Sequence, residues 1–323
     1  MLNINLQELI QTISKKHVLV IGDVMLDEYI WGAVDRISPE APVPVVSVTQ
    51  REYHSGGAAN VARNIHGLGG KVTLVGLTGD DASGQKLMDI LSKDSGVRML
   101  PIMEPNRMTT VKTRVIAHNQ HVVRMDAEQT NPLSQDSFSQ MKTHVSEILH
   151  DVDGIILQDY DKGVLSKDVI QWIMSVAKEK QIPVYVDPKK QHFSHFSGAR
   201  LFKPNLAEFS KELSDFDSLE EAGTSFRDKQ QFELLMVTRG KDGVSLFTKT
   251  DIHQIPTKAR AVHDVSGAGD TVIATFTVFD LCSISENESA LLANYAAGRV
   301  CEEVGVVPIT AEKLSEFVYH HSD

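Results

Sequence analysis

Asp264-Val-Ser-Gly-Ala-Gly-Asp270 runs straight into the apolar stretch Thr271–Cys282, and the reading of this junction decides the fold. Gly267, Ala268 and Gly269 carry almost no side chain, so the backbone there can approach a ligand closely. A helix that starts here has unpaired N–H groups and a positive dipole end in its first turn, which together seat an anion. Asp270 would stand beside that anion as a carboxylate kept ionised by the helix N-terminus. An anion cradle next to a base suits phosphoryl transfer to a hydroxyl. A plain glycine turn with an acidic first helical turn fits the same seven residues, so the surrounding chain must decide.

Working outward, short β-branched runs alternate with longer helical patterns. His17–Ile21, Val72–Val75, Gly154–Leu157, Pro183–Val186 and Leu234–Val237 are continuously apolar, as strands are when both faces of a sheet are covered. Between them, Ala58–Leu68, Ala82–Lys93, Ser134–His150, Ser166–Lys180 and Leu206–Leu213 carry helical spacing. The alternation predicts an α/β fold with a mostly parallel central sheet and helices on both faces. Two strand-rich stretches break it, at about residues 29–50 and 110–126, the first with Pro39, Pro42 and Pro44. They predict a small β-flap inserted into one α/β domain covering residues 1–323. Such a flap can serve as a lid that excludes water from a site or as an edge cover, and a lid is the expectation.

Composition narrows the classes. Hydrophobic residues at 41% and charged residues at 23% describe a folded globular chain of 323 residues. A formal net charge of -11 argues against a general nucleic-acid or membrane surface, though not against a nucleotide held by local cations. Cys282 and Cys301 lie in apolar helical stretches and read as core residues of a reducing compartment. The first residues lack a secretory signal pattern, and no apolar run approaches the ~20 residues that span a bilayer. The expectation is a cytoplasmic protein.

A second glycine motif, Ser55-Gly-Gly-Ala-Ala-Asn-Val-Ala-Arg63, precedes the first long helix. The N–H groups of Gly56 and Gly57 and the Asn60 amide suit sugar hydroxyls; a tight turn with a polar first helical turn fits equally well.

A Gly-Gly-x-x-Asn helix start early and a Gly-Ala-Gly-Asp helix start late, in a chain of this length, resemble the ribokinase/PfkB carbohydrate kinases. The likeness runs from Val18 to about Leu314 and includes Gly22-Asp23 after the first strand, Asn205-x-x-Glu208, Val237-Thr-Arg-Gly-x-x-Gly243 and Asn294. No Gly-x-x-x-x-Gly-Lys-Ser/Thr loop occurs. Val20–Asp27, Arg36–Val46, Asp159-Tyr-x-Lys-Gly163 and Asp187-Pro-Lys189 resemble the branch that phosphorylates a heptose 7-phosphate in lipopolysaccharide-core precursor synthesis. The chain ends at Asp323 without a His-x-Gly-His signature, so it resembles the stand-alone form of that branch.

The resemblance implies ATP and Mg²⁺, with Asn205 and Glu208 near the phosphates and Glu208 acting through the water shell of the metal, so no side chain ligates it directly. An ordinary N-cap and its partner fit the same pair. It further implies that Thr238, Gly240 and Gly243 frame the nucleotide, that Asn294 lies beside the base, and that a monovalent cation such as K⁺ is an option. Lys189 is a weaker phosphate candidate. Asp23, Asp27 and Asp159 follow strands at the edge where ligands of parallel sheets gather, and suit sugar hydroxyls. A substrate already carrying phosphate needs cations, and Lys112, Arg114, Arg124 and Lys162 form the available pool. Asp270 is the expected base and the N–H groups of Gly267–Gly269 the expected anion hole. A kinase for another sugar or a non-catalytic sensor on the same fold are the alternatives. A homodimer through the flap is expected, because an isolated small sheet would expose an apolar face.

Overall fold

A computed structural model describes the chain apart from residues 1–5, 94–95, 119, 214–215, 258–263, 304 and 321–323. The first strand, β1 (His17–Gly22), is followed after a single residue by β2 (Val24–Ile37), and then by β3 (Pro44–Gly57) and β4 (Lys71–Gly79). Next come β5 (Val97–Glu104), β6 (Val111–Ala117), β7 (Gln120–Ala127), β8 (Gly154–Gln158) and β9 (Val184–Asp187). The last are β10 (Leu201–Phe202), β11 (Leu234–Thr238), β12 (Val244–Phe247) and β13 (Ile252–Ile255). Among the described residues these form a nine-stranded sheet in the order β13-β12-β11-β10-β9-β8-β1-β4-β5 and a four-stranded sheet in the order β3-β2-β6-β7.

From β11 to β5 the large sheet is parallel throughout, and only the β11–β12 and β12–β13 pairings are antiparallel. The continuous apolar runs have the expected cause. In β1, Val18 and Val20 enter the core layer that contains Leu74, Ile156 and Phe276, while Leu19 and Ile21 enter the opposite layer with Val75, Leu157 and Phe202. Helices cover both faces, so neither side of the strand meets water.

The four-stranded sheet is built from the two strand-rich stretches, but it begins earlier and ends later than residues 29–50. β2 and β3 pair antiparallel from Val24 opposite Gly57 up to Ile37 opposite Pro44. The flap is therefore rooted in the end of β1 on one side and in the second glycine motif on the other. β2 also pairs in parallel with β6, and β6 pairs antiparallel with β7. Among the described residues no helix is long and apolar enough to cross a membrane.

Candidate active site

The two glycine motifs meet in space. One helix, Ala58–Gly67, starts immediately after Gly57, and a second, Ala268–Leu281, starts after Gly267. Asn60 on the first donates from Nδ2 to Asp270 Oδ2 on the second at 2.8 Å. One turn on, Asn64 Oδ1 accepts from Thr271 Oγ1 at 3.0 Å and from the Ile309 N–H at 2.9 Å. Gly267 has φ 81°, in the left-handed region, and a Cβ there would lie 2.6 Å from Asn60 Nδ2. Only glycine satisfies both the backbone angle and the space at this junction.

Asp270 is 2% exposed. Its Oδ1 accepts from Gln158 Nε2 at 3.0 Å and from the Tyr160 hydroxyl at 2.8 Å. Among the described residues Asn60 is the one partner of Oδ2, against two on Oδ1, so the freer lone pair of the carboxylate is on Oδ2. Burial pushes this carboxyl up to about 7, the Asn60 bond pulls it back, and the neighbouring Asp187 pushes it further up. The Tyr160 bond and the Lys203 ammonium act in the lowering direction. This corrects the expectation that the helix N-terminus alone keeps Asp270 ionised: desolvation outweighs it. Such a group exchanges protons near neutrality. The hydroxyl of the partly buried Tyr160, desolvated and set on Asp270, is held well above its ordinary value and remains a donor.

The first turn of the Asp270 helix also differs in detail from the sequence reading. The Ala268 N–H bonds the Val265 carbonyl at 3.2 Å, whereas the Gly269 N–H has no protein acceptor among the described residues. Lys203, 2% exposed, pairs with Asp187 Oδ1 at 3.0 Å, and its Nζ lies 3.6 Å from where a Gly269 side chain would begin. A buried ammonium thus faces the same turn as the free N–H.

Beside this turn opens a cavity of about 380 Å³ with mostly apolar walls. Thr238, Gly240, Gly243 and Asn294, expected around a nucleotide, all line it, together with Ala268 and Gly269. Asn294 has its Nδ2 on the Pro256 carbonyl at 2.9 Å. Asn205 and Glu208 make the reciprocal capping pair: the Asn205 N–H reaches Glu208 Oε2 and the Glu208 N–H reaches Asn205 Oδ1, both at 2.9 Å. Lys189 Nζ pairs with Glu208 Oε1 and lies 5.3 Å from the centre of the Tyr160 ring, which links this pair to the Asp270 cluster. Among the described residues no three His, Cys, Asp or Glu side chains gather to hold a metal. A single carboxylate, Glu208, already engaged by Lys189 and the Asn205 N–H, fits contact with magnesium through water and not direct ligation.

On the sugar side the structure separates the expected residues. Asp27 is buried and ion-paired with Arg114, whose guanidinium lies 5.2 Å from the centre of the Tyr29 ring. Lys112 is the register partner of Asp27 on β6, with Nζ 5.1 Å from the Tyr160 ring centre. Burial lowers the Lys112 ammonium's hold on its proton. Lys162 pairs with Glu128 at 3.0 Å, and exposed Arg124 pairs with Asp126 at 2.7 Å. Gly56 and Gly57 close β3 directly opposite Met25 and Val24.

Asp23 and Asp159 are engaged by protein donors. Asp23 Oδ2 accepts the N–H groups of Tyr160 at 2.8 Å and Lys162 at 3.0 Å, and Oδ1 that of Val164 at 3.1 Å. Burial, with Asp159 nearby, pushes Asp23 up to about 6. Asp159 Oδ1 takes the Asp161 N–H, and Oδ2 takes the Lys189 N–H and His192 Nδ1. Both carboxylates are buried, and the donors they accept organise the surrounding loops.

The pattern of pfkB family carbohydrate kinases matches residues 15–313. The chain belongs to this family. It is 41% identical over 309 residues to the D-beta-D-heptose 7-phosphate kinase of Bordetella bronchiseptica, covering 94% of this chain and 97% of that one. It is 40% identical over 324 residues to the bifunctional protein HldE of Trichlorobacter lovleyi, spanning 66% of that protein. The chain thus spans about two thirds of the length of the bifunctional relatives it matches. Among solved structures, phosphofructokinase-2 of Escherichia coli in complex with substrates and products superposes with a TM-score of 0.81 at 19% identity, covering 95% of this chain and all of that one. Arabidopsis thaliana ribokinase with ribose and ATP gives a TM-score of 0.71 at 19% identity over 94% of this chain and 98% of that one. The fold of this kinase is accordingly ribokinase-like.

Four residues that touch this kinase's central carboxylate cluster were missed as site residues: Gln158, Tyr160, Asp187 and Lys203. Tyr160 and Asp187 lie inside quoted motifs, Asp159-Tyr-x-Lys and Asp187-Pro-Lys, so a signal was present. Gln158 and Lys203 read as ordinary strand-end and loop polar residues.

Proposed function

We propose that this sugar kinase transfers the γ-phosphoryl group of ATP to the C1 hydroxyl of D-glycero-β-D-manno-heptose 7-phosphate, giving the 1,7-bisphosphate used for ADP-heptose synthesis. The observation that carries the reading is the convergence of both glycine-led helix starts on one buried carboxylate beside a nucleotide-sized cavity. The 41% identity to a heptose 7-phosphate kinase over nearly its whole length supports the substrate.

In this reading the sugar hydroxyl attacks the γ-phosphorus, its proton passes to Asp270 Oδ2, and the bridging P–O bond to ADP breaks. A base near neutrality is suited to that transfer, which is typically worth about 10²–10⁴ in rate. The Gly269 N–H and the Lys203 ammonium would face the charge that builds on the transferred group, and donors so placed contribute on the order of 10²-fold each. Thr238, Gly240, Gly243 and Asn294 would hold the nucleotide, and Asn205, Glu208 and Lys189 its phosphate end. Mg²⁺ would supply charge neutralisation of the phosphates, approached by Glu208 through water. Asn60, Gly56, Gly57 and Asp27 would meet the sugar, with Lys112, Arg114, Arg124 and Lys162 as the cations for its 7-phosphate. K⁺ beside residues 264–270 belongs to the same proposal; potassium is named for one Escherichia coli phosphofructokinase-2 structure. The enzyme would work in the cytoplasm as a dimer, with the exposed Val48, Val123 and Met125 of the flap buried between subunits.

The test is product formation from heptose 7-phosphate and Mg-ATP, compared with fructose 6-phosphate and ribose. Turnover of the heptose phosphate with at least tenfold preference is expected, and failure with it alone rejects the substrate. Asp270→Asn should bind both substrates while turnover falls by about 10² or more. Near-normal turnover in this variant removes Asp270 as base.

A further inference from the structure

Gly22, Gln158 and Asp187 occupy one register row at the ends of the adjacent parallel strands β1, β8 and β9. A Cβ on Gly22 would lie 2.1 Å from the Gln158 carbonyl oxygen and 2.9 Å from its Cβ, so the glycine is what lets Gln158 sit here. The side chain of Gln158 is 1% exposed. Its Nε2 donates to Asp187 Oδ2 at 3.0 Å and to Asp270 Oδ1 at 3.0 Å, one hydrogen to each carboxylate. Its Oε1 has no partner among the described residues. The amide thus serves the two carboxylates with its donor while its acceptor goes unused, an arrangement that points to the carboxylates as its purpose.

We propose that Gln158 is a positioning residue for the base: its amide separates two carboxylates, fixes Asp270 by Oδ1 and leaves Oδ2 free to take the sugar proton. The proposal rests on reading Asp270 as the base. The groups facing Asp270 from the elements around it are Asp187, Lys203, Tyr160 and Asn60. Lys112 and Lys189 lie behind the Tyr160 ring. Asp187 favours the protonated acid; Lys203 favours the ionised form directly and also engages Asp187 from its far side. A donor shared between the carboxylates does the same from the near side, because a hydrogen bond to the charged form stabilises it. Without that donor Asp187 and Asp270 oppose each other directly, and the base takes its proton at higher pH.

The experiment is the pH profile of kcat/KM for Gln158→Met, which keeps the chain length and removes the amide. The acid limb should move up by about 1 pH unit. Activity at pH 6 should then fall about tenfold while activity at pH 9 stays within a few-fold of the parent. The variant loses two hydrogen bonds to carboxylates along with the unsatisfied acceptor, so the pH profile and not the melting temperature reads the role. Gln158→Asn, too short to reach both carboxylates, should shift the limb in the same direction and serves if the Met variant does not fold. Infrared titration of the carboxyl band that disappears in Asp270→Asn reads the same shift without turnover. An unmoved acid limb, or an equal loss at every pH, overturns the role of Gln158. If Asp270→Asn is inactive while Gln158→Met keeps its profile, only this inference falls; if Asp270→Asn is active, the base assignment itself falls.

Discussion

Replacing Gly267 by alanine tests the junction of the two motifs with one methyl group. The added Cβ would arrive 2.6 Å from Asn60 Nδ2, at a residue whose φ is 81°. Holding alanine in the left-handed region costs about 1–2 kcal/mol. Displacing Asn60 also weakens its 2.8 Å bond to Asp270, an interaction with a charged group worth about 1.5–3 kcal/mol. That bond favours the ionised carboxylate, so its loss should raise a base already near 7 by about one unit. At pH 7 the ionised fraction would then fall from roughly a half to roughly a tenth. With a mis-seated base added, kcat/KM at pH 7 should drop by about 10- to 100-fold and recover partly by pH 9. A continuous ADP-release assay from pH 6 to 9 reads this directly. Gly198→Ala is the control, since Gly198 has φ 83° but nothing within 4 Å of its would-be Cβ. It should lose a little stability and keep the parent pH profile. If Gly267→Ala keeps the parent acid limb, the link from Gly267 through Asn60 to Asp270 is refuted.

Two further outcomes follow from the same geometry. Folding raises the Asp270 carboxyl from 3.8 to about 7, so the folded state holds a proton that the unfolded chain has released between those values. The penalty for burying the charge therefore grows as pH rises through that window. The melting temperature of Asp270→Asn relative to the parent should climb from pH 4.5 to pH 8 in calorimetry, and a difference independent of pH would refute the desolvation argument. On the flap, Val123 and Met125 are about half exposed on β7, so the double change to Asp should turn a dimer into a monomer in sedimentation. A parent that sediments as a monomer at every concentration dismisses the dimer.

The α/β alternation was legible because β1, β4, β8, β9 and β11 are buried on both faces, which writes an unbroken apolar run into the sequence. The antiparallel pair β12–β13 was not read, since Ile252-His-Gln-Ile255 is short, polar and half exposed. Gly267 and Asp270 could be found from sequence because a small-residue helix start has a local signature. Whether a strand-end carboxylate faces a ligand or its own loop has none. Asp23 and Asp159 carry the same residue type in the same kind of position as a sugar contact would, yet backbone donors surround them. Likewise, the shift on Asp270 depends on burial by residues more than a hundred positions away, such as Tyr160 and Gln158, and no local pattern records that.

Because β2 leaves β1 after one intervening residue, the only hinge available at this root of the flap is the peptide around Asp23. The same Asp23 grips the backbone of residues 160, 162 and 164, and Tyr160 in turn grips Asp270. A displacement of the flap root would therefore be felt by the loop that carries Tyr160. A single buried carboxylate at the root of the flap is thus tied, through the loop it grips and the Tyr160 hydroxyl, to Asp270 itself.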